Sequence, residues 1–283
     1  MAVGDWKSLR SRLYCCGELD DMSDDPHRPD DPYSRVNYRR LIAWETRITR
    51  EAPFLLSLRN RAPERSVIDV GCGTGEHVAF FAAADVRAVG LDRSEAMIRA
   101  AKDHEEAGKG RFVLGDAMEA RAALGDEPSF GLATCLGNML PHMAEDADLA
   151  RFLASLHEVL LPGGLLVIQL LNYEGILATG KRSLPVNLRP GDDGKEIVFL
   201  RLMSPTEHGR VLFFPATLEL DPDAEEPLTV TMSRRVELRA WTRADLAPAV
   251  TTAGFEPVFL GDMAGGEFVL EDSPDLVVVA TRS

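Results

Sequence analysis

The chain has 283 residues, 45% of them hydrophobic and 27% charged, which suffices to bury one sizeable α/β core or a core that carries an insertion. Lys and Arg number 31 against 45 Asp and Glu, a formal charge of −14. Phosphate backbones and anionic lipid repel such a chain unless its basic residues are concentrated; no Lys/Arg-rich run occurs, which argues against nucleic acid and membrane surfaces as partners.

Met1 to Cys16 lacks the apolar core of a leader, and no stretch approaches the roughly 18 apolar residues of a spanning helix. With 4 cysteines in the whole chain there is no disulfide framework, so a reducing cytoplasm is expected. Cys15 and Cys16 are adjacent, whereas Cys72 and Cys135 stand alone. Without a second Cys or His pair at ligand spacing no zinc or other metal site is read. The adjacent pair reads as two free thiols, a thiophilic-ion site being the alternative.

Asp5 to Tyr14 has the pattern of a short basic helix. Seven acids and three prolines then crowd Glu18 to Pro32. That segment has too little apolar surface to order itself, and residues 1–32 are expected to be a mobile acidic arm. Leu41, Trp44, Ile48, Leu55 and Leu58 recur at helical spacing, with Pro53 expected to break or restart the helix.

From Ser66 short apolar strands alternate with helices. Strands are expected at Val67–Val70, Val86–Leu91, Arg111–Leu114, Phe130–Leu136 and Leu165–Leu171, the last following a Leu161-Pro162-Gly163-Gly164 turn. Helices are expected at Glu76–Ala84, Ser94–Asp103 and Ala144–Leu160. This alternation predicts parallel strands with right-handed crossovers, an α/β doubly wound fold. Residues 172–240 break the rhythm: Glu196–Met203, Arg210–Leu220 and Leu228–Arg239 read as an antiparallel insertion after the fifth strand. A helix Arg243–Ala253, capped by Thr242, and two strands, Phe255–Leu260 and Leu276–Ala280, close the chain. The cofactor-binding domain is thus expected over 33–171 plus 241–283.

The strongest chemical signal is Asp69-Val70-Gly71-Cys72-Gly73-Thr74-Gly75 between a strand and a helix. Glycines let backbone turn tightly and approach a ligand, and the following helix offers unpaired N–H groups. Dinucleotide folds prefer G-x-G-x-x-G. Here the spacing is G-x-G-x-G, with an acid that suits a ligand ammonium better than a pyrophosphate. Asp92 ends the second strand, 17 residues beyond Gly75, and Gly115-Asp116-Ala117 closes the third. A carboxylate at the first place accepts from ribose hydroxyls, and at the second from an adenine amino group. Strand carboxyl ends are where open α/β sheets bind ligands.

These segments, with Gly90-Leu91-Asp92-Arg93-Ser94 and Leu161-Pro162-Gly163-Gly164, resemble the motifs of class I S-adenosylmethionine-dependent methyltransferases over roughly Val67–Leu171 and the closing elements. The resemblance implies a seven-stranded, mostly parallel sheet with an antiparallel last strand. It also implies S-adenosylmethionine as cofactor and S-adenosylhomocysteine as product. Asp69, Gly71, Gly73 and Gly75 would then hold the methionine part, Asp92 the ribose, and Asp116 and Ala117 the adenine. Arg93, Met97 and Leu136 would complete the pocket, with Arg47 and Tyr38 covering it from a lid before the first strand.

Leu136-Gly137-Asn138, His142 and Asn172–Gly180 resemble the glycine and sarcosine N-methyltransferases, where an antiparallel insertion roofs the acceptor site. The Asp/Asn-Pro-Pro-aromatic motif of base-amino methyltransferases is missing. By this resemblance Asn138, His142 and Tyr173 are catalytic candidates, His142 being the general base, and Asn172 and Tyr33 contact the acceptor. The glycine enzymes place an arginine where Leu171 stands, so glycine itself requires Arg35, Arg39 or Arg201 to reach in. Structural readings stand beside these: His142 bonding a loop, Tyr173 packing, and the lid residues forming an amphipathic helix. An O- or C-methyltransferase of a larger hydrophobic metabolite, a non-catalytic cofactor sensor and a dinucleotide oxidoreductase are the alternative functions. Monomer and homo-oligomer both remain open.

Overall fold

The structure, a computed structural model, describes residues 38–106, 108–206 and 208–283. The expected basic helix, the acidic arm, Cys15-Cys16, Tyr33, Arg35 and the Tyr38 side chain lie outside the described residues.

The chain enters through α1 (Tyr38–Leu41) and α2 (Trp44–Arg61). It then alternates β1 (Ser66–Val70), α3 (Glu76–Ala83), β2 (Arg87–Asp92), α4 (Glu95–Glu106), β3 (Arg111–Leu114), α5 (Ala120–Leu124), β4 (Phe130–Cys135), α6 (Asp146–Val159) and β5 (Leu160–Leu171). Helix α7 (Tyr173–Thr179) leads into β6 (Asn187–Pro190), β7 (Glu196–Pro205), β8 (Arg210–Leu220), β9 (Leu228–Ser233) and β10 (Val236–Arg239). Helix α8 (Arg243–Thr252), β11 (Phe255–Leu260) and β12 (Asp275–Arg282) finish the fold.

Among the described residues seven strands form one sheet in the order β11-β12-β5-β4-β1-β2-β3. β1 to β5 run parallel, and β12 inserts antiparallel between β5 and β11. β1 and β4 are buried at every position, as central parallel strands covered on both faces must be, and apolar clusters lie on both sides of the sheet. The order reverses next to β1, so the carboxyl ends of β1, β2, β3 and β4 border one crevice.

Three local expectations are corrected. Pro53 does not break α2, which runs unbroken through it; the chain turns instead at Ile42-Ala43. Pro53 faces solvent, as does Thr49, whose carbonyl has no helical N–H donor there, while Leu55 and Leu58 anchor the helix in the core. The Leu161–Gly164 turn is carried inside β5 as an irregularity, with Phe130 paired to Leu160 and Leu132 to Leu165. The expected strand Leu228–Arg239 is split. β9 pairs Ala216–Leu220, and β10 pairs Arg210–Phe213. Pro215 between them accepts from the Arg234 N–H but has no N–H to return, so the ladder breaks there. β6, α5 and α7 had no expectation; all three are 7 residues or shorter, too short for a clear periodicity.

Thr242 caps α8 as expected: its Oγ1 accepts from Asp245 N, and Asp245 Oδ2 accepts from Thr242 N, a reciprocal capping box. Thr242→Ala is expected to lower stability by about 1 kcal/mol in urea unfolding; an unchanged midpoint would show that tertiary contacts alone hold the helix start.

Candidate active site

The glycine turn follows β1 directly. Gly71 (φ +68) leaves no room for a side chain, since a Cβ there would lie 2.7 Å from Met139 Cγ. A Cβ on Gly73 (φ +57) meets nothing within 4 Å, and the residue borders a cavity of about 320 Å³. Its N–H donates to Asp92 Oδ2 at 2.9 Å, and Ser94 N donates to Asp92 Oδ1 at 2.8 Å, so backbone fixes both oxygens of that carboxylate. Asp116 closes β3 and accepts from Met118 N at 2.8 Å through one oxygen. Asp69, in the fully buried β1, accepts from Thr134 Oγ1 at 2.6 Å. Burial pushes its carboxyl up, against the charge of His77, the Thr134 bond and the charge of Arg47. Gly71, Gly73, Asp69, Asp92, Arg93, Met97, Asp116, Ala117, Leu136 and Arg47 all line this cavity. Gly75 does not. It caps α3 at φ +89, and a Cβ there would lie 2.6 Å from the Phe112 ring, so it serves the packing of helix on sheet.

A second cavity, of about 500 Å³, lies between the carboxyl edge of the sheet and the insertion. Arg47, Gly137 and His142 line both cavities. Gly137 (φ +74) and Asn138 (φ +65) turn the chain sharply after β4, and Gly137 N donates to Gln169 Oε1 at 2.8 Å. Asn138 lines the second cavity; its Oδ1 accepts from Leu171 N, and its Nδ2 donates to Tyr173 Oη at 3.0 Å. Tyr173 itself is 0% exposed, and burial pushes its hydroxyl well up. It orients Asn138 rather than facing a ligand. Asn172 is likewise committed: it accepts from Gly175 N and donates to the Leu270 and Ser273 carbonyls. His142 faces the cavities, and the protein around it, followed by the charge of Arg93, holds its pKa below the ordinary 6.5.

Residues 67–164 match the family described as Methyltransferase domain. Over that segment the chain is similar to methyltransferases. It is 28% identical over 142 residues to a glycine/sarcosine N-methyltransferase of Halorhodospira halochloris, covering 50% of this chain and 52% of that protein. It is 35% identical over 153 residues to a dTDP-4-amino-2,3,4,6-tetradeoxy-D-glucose N,N-dimethyltransferase of Saccharopolyspora spinosa, covering 50% and 55%. The chain thus spans about half the length of these relatives. The solved structure of the sugar N-methyltransferase KedS8 from Streptoalloteichus superposes with a TM-score of 0.64 at 23% identity, over 95% of this chain and 98% of that one, which shows a shared fold.

The fold also contains a buried network that no sequence motif announces. Glu51 on α2 accepts from Arg47 Nε and meets His77 Nε2, each at 2.9 Å, and Trp44 stands edge-on to His77. Trp44, Arg47 and His77 line the first cavity, so the network forms its wall. In sequence these residues show only helical periodicity; their convergence needs α2 to cross α3. Gln169 and Asp275, bonded at 2.7 Å, line the second cavity and were missed for the same reason, since β5 and β12 meet only in the sheet. Of the arginines considered in place of Leu171, Arg201 lines the second cavity. Arg39 bonds Glu76, Asp103 and the Thr74 and Ala100 carbonyls, tying α1 to α3 and α4.

Proposed function

We propose that this protein transfers a methyl group from S-adenosylmethionine to the nitrogen of a small-molecule amine and releases S-adenosylhomocysteine. The observation that carries the reading is the pair of cavities sharing Arg47, Gly137 and His142, one lined by acids at three successive strand ends, the other roofed by the insertion. The residues present fit the cofactor. Asp92 offers a carboxylate already oriented for a ribose diol, Asp116 keeps an oxygen for an amino group, and Gly73 permits close backbone approach. Arg47, which lines the cavity, would pair the cofactor carboxylate.

When bound, the cofactor supplies a methyl group already activated on a sulfonium. The chain's task is to align a neutral amine lone pair with the methyl carbon and to keep water out, so that the nitrogen–carbon bond forms as the carbon–sulfur bond breaks. Asn138, held by Tyr173, positions the acceptor, and His142 takes the proton the nitrogen sheds. Nitrogen is the favoured acceptor atom because both named relatives are N-methyltransferases. Cys72 and Cys135 are buried free thiols, in keeping with a cytoplasmic setting. No helix among the described residues is long and apolar enough to cross a membrane.

Calorimetry with S-adenosylhomocysteine and with NAD tests the cofactor; tight NAD binding without homocysteine-form binding would overturn the reading. A panel of amines, amino acids and phenols scored for labelled methyl transfer tests the acceptor, and label appearing only on oxygen would refute the nitrogen assignment. His142→Asn is expected to lower kcat about tenfold at unchanged S-adenosylhomocysteine affinity, a modest loss because the donor is already activated. The base form exists above the pKa, and that pKa lies below 6.5, so the limb of the wild-type pH–rate profile that belongs to His142 should lie below 6.5, apart from the protonation of the amine itself. The variant should lose this limb; an unaltered pH–rate profile would remove His142 from the proton path.

A further inference from the structure

The second cavity is cationic in a strongly acidic protein. Arg47, Arg50, Arg201 and Arg234 line it against two acids, Glu51 and Asp275. Glu51 is taken up by Arg47 and His77, and Asp275 by Gln169. Arg50 also faces Glu51 at 3.6 Å, and the charges of Arg47 and Arg50 both act on Asp275, so these two arginines offset the two acids and the remaining positive field belongs to the insertion side. There the register of the sheet places two of the arginines together: Arg201 on β7 pairs directly with Pro215 on β8, and Arg234 N donates to the Pro215 carbonyl from the other flank at 3.0 Å. All three residues line the cavity, and neither arginine reaches the donor cavity. Two arginines that flank one residue, both lining the cavity, offer it two planar cationic donors suited to an oxyanion.

We propose that Arg201 and Arg234 grip a phosphoryl or carboxylate group carried by the acceptor at the end away from the methylated nitrogen, so that the substrate is an acidic amine larger than glycine. The inference rests on the methyl-transfer reading and names its substrate class. Leu171 cannot pair an acid, so an anionic group has no partner at the position that holds it in the glycine enzymes. A cavity of about 500 Å³ would leave a glycine-sized ligand, a few water volumes of about 30 Å³ each, loosely held. The net charge of −14 repels an anionic substrate at long range, so a local cationic wall is what draws it in. Neither guanidinium is idle. Arg201 donates to the Pro185 carbonyl and to Asn187 Oδ1 and lies over the Phe199 ring, and Arg234 is engaged too, so the oxyanion binds by exchange of contacts.

The test is titration of the S-adenosylhomocysteine-loaded full chain with inorganic pyrophosphate and, separately, with succinate. Wild type is expected to bind at least one of them, and the preferred probe assigns phosphoryl or carboxylate. Arg201→Gln and Arg234→Gln should each weaken that binding about tenfold or more, the lysine replacements should retain an intermediate affinity, and the double glutamine variant should lose it. S-adenosylhomocysteine affinity should stay constant throughout, which also certifies the fold. Wild type that binds neither probe, or glutamine variants that bind as wild type, would overturn the grip. Failure of wild type to bind S-adenosylhomocysteine would count instead against the methyl-transfer reading.

Discussion

Asp92→Ala is expected to weaken S-adenosylhomocysteine binding about 100-fold or more, the largest effect of any single replacement in the donor cavity. Two contributions add. A carboxylate accepting from both hydroxyls of a ribose makes two charge-assisted hydrogen bonds, each worth roughly 1.5–3 kcal/mol. The same carboxylate receives Gly73 N and Ser94 N, so its removal also loosens the glycine turn and the start of α4. Asp92→Asn separates the two. It keeps an acceptor for one backbone N–H but loses the charge, and should fall between wild type and alanine. Isothermal titration decides the matter; an alanine variant within threefold of wild type would refute the ribose assignment.

Glu51→Gln is expected to destabilise the fold by on the order of 3 kcal/mol at neutral pH. Glu51 is 1% exposed. Burial pushes its carboxyl up, but the His77 bond, the charges of Arg47 and His77 and the Arg47 bond together outweigh burial and bring it from 4.5 to about 2. That difference corresponds to about 3 kcal/mol. The sign follows from the direction. The folded-state pKa is depressed, so the contribution is complete above 4.5, where the unfolded carboxyl has ionised, and is lost as pH falls toward 2. Glutamine cannot ionise, so the stability gap between variant and wild type should close over that window. Parallel curves of unfolding free energy against pH would show that the pair is not the source. Because Arg47 leans on Glu51 and borders both cavities, the variant should also bind S-adenosylhomocysteine more weakly.

The elements that the chain announced are those whose local chemistry and burial agree. β3 and β11 occur at the expected residues, Thr242 caps its helix, and the acids Asp69, Asp92 and Asp116 come together at one crevice because each ends a successive parallel strand. Turn chemistry and strand alternation carry that much without tertiary knowledge. Where the expectation failed, the tertiary setting decided. Pro53 looked like a breaker but faces water, and the strand after Leu228 looked continuous until Pro215 interrupted its ladder. Asn172 and Tyr173, legible only as a resemblance, are committed to holding α7 and Asn138.

Local residue chemistry suffices for the doubly wound sheet, the glycine turn and the acid at each of three strand ends, because a buried strand and a tight turn are local demands on residue type. Which side chains share a cavity depends on the packing of distant elements. The Arg47–Glu51–His77 network, the Gln169–Asp275 pair and the flanking of Pro215 by Arg201 and Arg234 each join elements distant in the chain. Their meeting depends on helix crossing and strand register, which no single segment encodes. The acids and most of the glycines of the proposed donor half were therefore readable in the sequence, whereas the proposed acceptor half emerged only when the insertion closed over the sheet.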